Sequence, residues 1–298
     1  MTATNPSGFP RLEGGKNLDG GCKSSVPGRP LVSIITVVLN GKDRLKRTVE
    51  SVLSQSYDHI EYIVIDGGSD DGSVDVLRSL GSTIDYWVSE LDKGIAAAFN
   101  KGIALARGEI IGLLNAGDLY ERNAAAAVVD AYLASPRTDV FCGSIRLKEA
   151  GAPPLECNSS PSRLEKETSV YHPTTFVKRT SYERYGPFDE GYNYAMDYEL
   201  LLRFRRSGAS FYVLKTVLAE MELDGISATH WRLGLNEVRR ARAAYFSPAS
   251  VAYHHSKAVL LNIMARGLKK LGMLNVYRAY WRFQNLRTGH REKAQQAG

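Results

Sequence analysis

Leu31-Val32-Ser33-Ile34-Ile35-Thr36-Val37-Val38-Leu39 decides the fold of this chain. A strand with one wet face alternates apolar and polar residues. This run is β-branched and apolar on both faces, so it reads as a strand buried inside a parallel sheet. Working outward, Leu45, Val49, Val52 and Leu53 recur at the spacing of one helical face. A second buried strand covers 60–65 and stops at Asp66-Gly67-Gly68-Ser69. A helix over 74–80, a short strand near 84–88, an Ala-rich helix over 95–106 and a buried strand over 109–114 follow. Strand and helix alternate at short spacing, the pattern of a doubly wound α/β unit. Beyond about residue 140 the pattern is mixed. Strand-like pieces at 140–147, 174–178 and 210–214, with a strong helix over 197–206, read as completing the same sheet. Residues 1–30, rich in Gly, Pro, Ser and Asn, read as a flexible arm.

Composition narrows the function classes. The 298 residues are 44% hydrophobic and 23% charged, ordinary for a globular protein. The net charge of +6 is a property of the tail. Residues 251–298 hold nine Lys/Arg against one acid, Glu292, leaving 29 bases against 31 acids elsewhere. Three cysteines without CxxC spacing argue against a disulfide framework or a zinc site and for a reducing compartment. There is no signal-peptide pattern, and no apolar run reaches the length of about 18 residues of a membrane span. The expectation is a cytoplasmic protein, at most peripheral on the inner face of the membrane. No G-x-G-x-x-G follows a strand and no G-x-x-x-x-G-K-[ST] occurs, so a glycine-rich phosphate cradle is not the device.

In open α/β sheets ligands bind beyond the carboxyl ends of the strands. Three such ends carry polar groups: Asn40, Asp66 and Asn115-Ala116-Gly117-Asp118. Each has a plain reading as a turn or a helix cap, but together they converge on one rim. Carboxylates there suit a hard divalent cation bridging diphosphate oxygens. Asp197 opens an apolar-periodic helix, where a first-turn carboxylate is either a cap or a base held in its charged form. His172, before Pro173 in an aromatic setting, reads as a satisfied structural imidazole, with an acceptor or donor contact as the alternative.

Taken in order, 32–40, Asp66-Gly67-Gly68-Ser69-Asp70-Asp71-Gly72-Ser73, Asp92-Lys93-Gly94-Ile95, Asn100-Lys101-Gly102 and 113–120 resemble the family 2 glycosyltransferases of the bacterial surface-polysaccharide type. His172-Pro173-Thr174-Thr175-Phe176, Gly186-Pro187-Phe188-Asp189-Glu190 and Asp197-Tyr198-Glu199-Leu200 continue the resemblance, which spans 30–227. It implies the Rossmann-like GT-A fold: a mixed sheet with flanking helices over a catalytic domain at 31–227, then a basic, mostly helical extension at 228–298. It implies inverting transfer of a hexose-type sugar from a nucleotide-diphosphate donor, most often a UDP-sugar, to a hydroxyl of a glycan or lipid-linked acceptor. Carried over residue by residue, Thr36, Asn40, Asp66, Asp92, Lys93 and Asn115 line the nucleotide-sugar site. Asp118 ligates Mg²⁺ or Mn²⁺, and Asp197 is the catalytic base. Three positions depart from the family pattern. Gly67 stands for a second Asp, Asn115 and Gly117 replace acids of the DxD region, and Met196 stands for the Glu before the base.

Those gaps motivate a second reading, a non-catalytic nucleotide-sugar or glycan-binding relative docked at the membrane. A third, nucleotidyl transfer, lacks its basic glycine-rich loop after the first strand. Residues 258–283 interleave apolar and aromatic residues with Lys and Arg. That composition suits either peripheral contact with an anionic membrane or packing on the body. Nucleic acid is excluded as a partner, since no zinc-finger, RNP or basic-zipper pattern accompanies the charge.

Overall fold

A computed structural model describes residues 11–149, 151–223 and 229–273. The run at 31–39 forms β2 (Val32–Val38), buried at every position. It pairs in parallel with β3 (Ile60–Asp66) on one side and β5 (Ile110–Asn115) on the other. β4 (Tyr86–Ser89) extends the parallel set beyond β3. The strand order β4-β3-β2-β5 reverses direction at β2, so the crevice above β2 and β5 is a topological switch point. The second half completes the same sheet, as its mixed pattern implies. β9 (Thr175–Lys178) runs antiparallel to both β5 and β7 (Val140–Glu149), and β10 (Phe211–Glu222) runs parallel to β7. Short β6 (Leu119–Tyr120) pairs with β10, and β8 (Ala152–Cys157) with β7.

Helices cover both faces. α1 (Lys42–Leu53), α2 (Ser73–Leu80) and α4 (Ala124–Ala134) join Val32, Ile34 and Val38 in one core. α3 (Ile95–Leu105) and α6 (Met196–Arg206) join Ile35 and Val37 in the other. α5 (Arg179–Tyr185) follows β9. Gly102 lets α3 approach β2 closely, for a Cβ there would lie 2.4 Å from Ile35 Cγ2.

The arm expected over 1–30 is corrected from Arg11 onward. β1 (Leu12–Gly14) pairs antiparallel with β4, and Gly14 lies flat against the Trp87 ring, where a Cβ would sit 2.6 Å from Nε1. Lys23 reaches back to Asp85 at 2.8 Å. The basic extension begins with α7 (Trp231–Ala243) and α8 (Pro248–Lys270). α7 belongs to the body: Ala241 is buried in the α3/α6 core, with Val238 and Phe246 packed on it. α8 leaves Tyr253, Leu260, Ile263 and Met264 exposed, as are Leu271 and Met273 just beyond it. The remainder of 258–283, from 274 on, lies outside the described residues, as do 1–10. No helix among the described residues is long and apolar enough to cross a membrane.

Gly102→Val is expected to destabilise the fold by about 1–3 kcal/mol through overpacking against Ile35. Gly267→Ala, on α8 with no heavy atom within 4 Å of the new Cβ, is expected to stabilise by about 0.5–1 kcal/mol. Urea unfolding midpoints of the two variants should therefore move in opposite directions.

Candidate active site

The loop after β5 is built around Thr48 of α1. Its hydroxyl accepts from the Gly117 amide at 2.8 Å and donates to the Asp118 carbonyl at 3.0 Å. Gly117 has φ of 115°, a conformation that side-chain-bearing residues rarely adopt, so an acid there would strain the turn. The loop delivers Asp118 into a buried position, where its carboxylate faces the Asn115 amide groups at 3.4 Å and His172 Nε2 at 3.8 Å. Burial pushes the Asp118 carboxyl up to about 7, since these contacts compensate its charge weakly. Burial also holds His172 down at about 4. The imidazole is therefore neutral, and its Nε2 lies 3.2 Å from Asn115 Nδ2 as the acceptor. His172 and Asp118 are neighbours but not an ion pair.

Asp197 lies at the first turn of α6. It and His172 line one small cavity of about 20 Å³, with Leu113, Tyr182 and Phe188 around them. Burial raises the Asp197 carboxyl to about 6, with the Tyr198 amide at 2.8 Å opposing the shift. The loop that enters α6 is held by a residue the sequence reading missed. The Glu237 carboxylate on α7 accepts the backbone amides of Asn193, Tyr194 and Ala195 at 2.8–3.2 Å. Met196 points into the core, 7% exposed, so this position is used for packing.

The second group gathers at the ends of β2, β3 and β4. Asp66 is fully buried, and its carboxylate accepts from Gly68 N, Ser69 N and Ser89 Oγ at 2.6–3.1 Å. Asn40, at φ 51°, accepts the Asp70 amide at 3.0 Å and ties the first strand end to the second. Asp92 is half-buried and its carboxyl is raised by burial. It fills the space above Gly67, where a Cβ would lie 2.7 Å from Asp92 Oδ2. A side chain at 67 would therefore have to displace the Asp92 carboxylate. Lys93 is exposed beside it. Thr36 is the exception, since it is fully buried in mid-strand with its hydroxyl on Tyr62 at 3.0 Å and lines neither group.

Among the described residues no cluster of three His, Cys, Asp or Glu forms a closed metal cage. Two groups are short of partners: the weakly compensated Asp118 carboxylate, and Asn115 Oδ1, which is buried without a hydrogen-bond partner while its own Nδ2 faces Asp118 at 3.4 Å. This donor set fits a hard cation that leaves its other positions to water and ligand oxygens, as Mg²⁺ prefers.

The model of glycosyl transferase family 2 matches residues 33–213. The chain is 27% identical over 215 residues to TuaG of Bacillus subtilis, a glycosyltransferase named for teichuronic acid biosynthesis, covering 68% of this chain and 84% of TuaG. Its fold is similar to that of Staphylococcus aureus TarS residues 1–349 in complex with UDP-GlcNAc, with a TM-score of 0.59 at 15% identity over 77% of this chain and 71% of that one. It is also similar to the mannosyltransferase PcManGT of Pyrobaculum calidifontis in complex with GDP-Man and Mn²⁺, with a TM-score of 0.55 at 18% identity over 87% of each chain. These likenesses establish the GT-A architecture that the motif order implies.

The His172 shift has a stability consequence. Between about pH 6.5 and 4 the unfolded chain takes up a proton at this residue that the folded chain does not. Its contribution is present above pH 6.5 and is lost as pH falls, by up to about 3 kcal/mol. In urea titrations at pH 7 and pH 4.5, His172→Gln should show a smaller acid loss than the unchanged protein.

Proposed function

The chain belongs to glycosyl transferase family 2 and is a glycosyltransferase, and we propose that it inverts the anomeric centre of a nucleotide-diphosphate sugar, with Asp197 as its base. The observation that carries this reading is the Asp197 carboxylate. It shares one cavity with His172, which contacts Asn115 and Asp118 at the end of β5, and its carboxyl is raised to about 6. Such a group is ionised at pH 7 yet basic enough to accept a proton as a bond forms.

In the proposed step the acceptor hydroxyl attacks the anomeric carbon while Asp197 takes its proton. The bond from that carbon to the diphosphate oxygen breaks, and the electron pair leaves on the nucleoside diphosphate. The Asp66 turn, Asn40, Asp92 and Lys93 form the wall for the nucleoside, with Asp66 acting through the backbone it holds rather than through a free carboxylate. Asp118 and Asn115 Oδ1 would hold a divalent cation, which would supply positive charge to the leaving diphosphate. His172, neutral and bonded to Asn115, sets the orientation of that pair. Glu237 keeps Asp197 in place by fixing the three amides before it.

The likeness to TuaG supports polysaccharide synthesis as the setting. The complexes of TarS with UDP-GlcNAc and of PcManGT with GDP-Man support a nucleotide-diphosphate sugar as donor, and a UDP-sugar is the choice that the family resemblance favours. The acceptor in this reading is a glycan or a lipid-linked glycan presented at an anionic membrane surface. The exposed Leu260, Ile263, Met264 and Leu271, interleaved with Arg266, Lys269 and Lys270, support that placement. The family match weighs against the non-catalytic alternative, and two of its motives, Gly117 and Met196, have a backbone or packing reason.

Release of nucleoside diphosphate from a panel of UDP-, GDP-, CDP- and dTDP-sugars tests the reading. One donor class should turn over, and Asp197→Asn should lower the rate by about 10²–10⁴-fold. The kcat/KM profile should fall below about pH 6 in the unchanged enzyme as Asp197 protonates. Full turnover by Asp197→Asn would remove Asp197 from the role of base.

A further inference from the structure

We infer that the groove between α7 and α8 is a binding site for a phosphate-class oxyanion. It shares no residue with the candidate active site, and the inference does not rest on the sugar-transfer reading. The groove encloses about 80 Å³. One water needs about 10–15 Å³ of such space, so a tetrahedral oxyanion fits.

Arg242 is the central observation. Its side chain lines the groove and the residue is 2% exposed. Nη1 donates to the Glu165 carbonyl, while Nε and Nη2 are buried without a hydrogen-bond partner. Among the described residues no carboxylate forms an ion pair with it. The Phe246 ring, 4.7 Å from the guanidinium carbon, offers a weaker cation–π contact. The Tyr198 hydroxyl also faces this side chain but is neutral, and a buried guanidinium whose charge no anion meets is costly. Its planar fork is also the geometry that grips phosphate oxygens in pairs.

The surroundings carry the same sign. Lys166, Arg239 and Lys257 edge the groove, and His254 and His255 line its α8 side. The one acid among the lining residues, Glu167, is paired with Arg163 on the preceding turn. His254 is held below its ordinary value by burial and then by Arg242, Lys257 and Lys166, which reports a positive local potential. Three cations around an arginine fork favour a phosphomonoester or diphosphate group over a single carboxylate. That group is supplied either by a soluble phosphorylated molecule or by a lipid headgroup.

Two titrations of the full chain separate these sources. Inorganic phosphate is added while the His254 imidazole resonance is followed by NMR, and phosphatidylcholine vesicles with or without phosphatidic acid are tested by co-sedimentation. Saturable binding of phosphate, with His254 becoming easier to protonate, supports the site and a soluble source. Retention by phosphatidic-acid vesicles alone, lost when the groove cations Lys166 and Lys257 are replaced by Gln, supports the site and a headgroup source. In either case Arg242→Met should weaken binding by about tenfold or more. Lys166→Gln with Lys257→Gln alters only exposed side chains, and this double variant should weaken binding severalfold with an unchanged melting curve. Absence of binding in both titrations, or equal binding by the double variant, overturns the inference.

Discussion

With apolar side chains on both faces, β2 must sit in the interior of a sheet with helices above and below. Ile34 and Val38 are sealed by α1, and Ile35 and Val37 by α3. This arrangement leaves no room for polar chemistry along the strand. The strand's two hydroxyls are consumed by the neighbouring strand, Ser33 by Glu61 and Thr36 by Tyr62. Function is therefore confined to the carboxyl ends of the strands, and the reversal of strand order at β2 opens the crevice where those ends meet. Gly102 sets how closely α3 can approach, and α3 leads directly from the Asp92-Lys93-Gly94 loop. The packing of the core thus fixes the spacing of the two groups of site residues.

Among the candidate site residues, burial acts on four titratable groups in a common direction, toward the neutral form. Asp92, Asp118 and Asp197 are raised and His172 is lowered. A site whose carboxylates are short of compensating charge is suited to gaining it from a ligand or cation and to accepting a proton near neutral pH. The supports behind these groups are structural. Thr48 clamps the Asp118 turn from α1, and Glu237 gathers three amides ahead of Asp197 from α7. The candidate site so described depends on a helix lying beyond the residues matched by the family model.

The sheet was legible because its central strands are long, β-branched and bounded by Asp-Gly turns. Its edges were not. β1, β6 and β8 are short pairings whose residues carry no periodic signal, and β10 has register shifts between Val213 and Ala219 that break the alternation of its face. The candidate rim residues stood out by their type and order. What a linear sequence hides is where each carboxylate's hydrogen bonds go. Asp66 resembles a ligand contact, yet it is occupied by its own turn, whereas Asn115 resembles a lost acid, yet it keeps an unpartnered oxygen. Glu237 was invisible for a related reason. A lone glutamate on an amphipathic helix gives no sign that it collects the amides of a loop some forty residues earlier.

The most direct test of the central claim is the thermal stability of the chain with UDP, GDP, CDP and dTDP, each with and without Mn²⁺. A ligand at 100 times its dissociation constant stabilises by about 2.7 kcal/mol, a rise of several degrees at this chain length. A crevice built to hold a nucleotide-diphosphate sugar beside Asp118 predicts such a rise for one nucleotide, UDP, and a larger one when Mn²⁺ is present. No rise with any of the four, with or without the metal, would contradict the assignment of this crevice as a donor site.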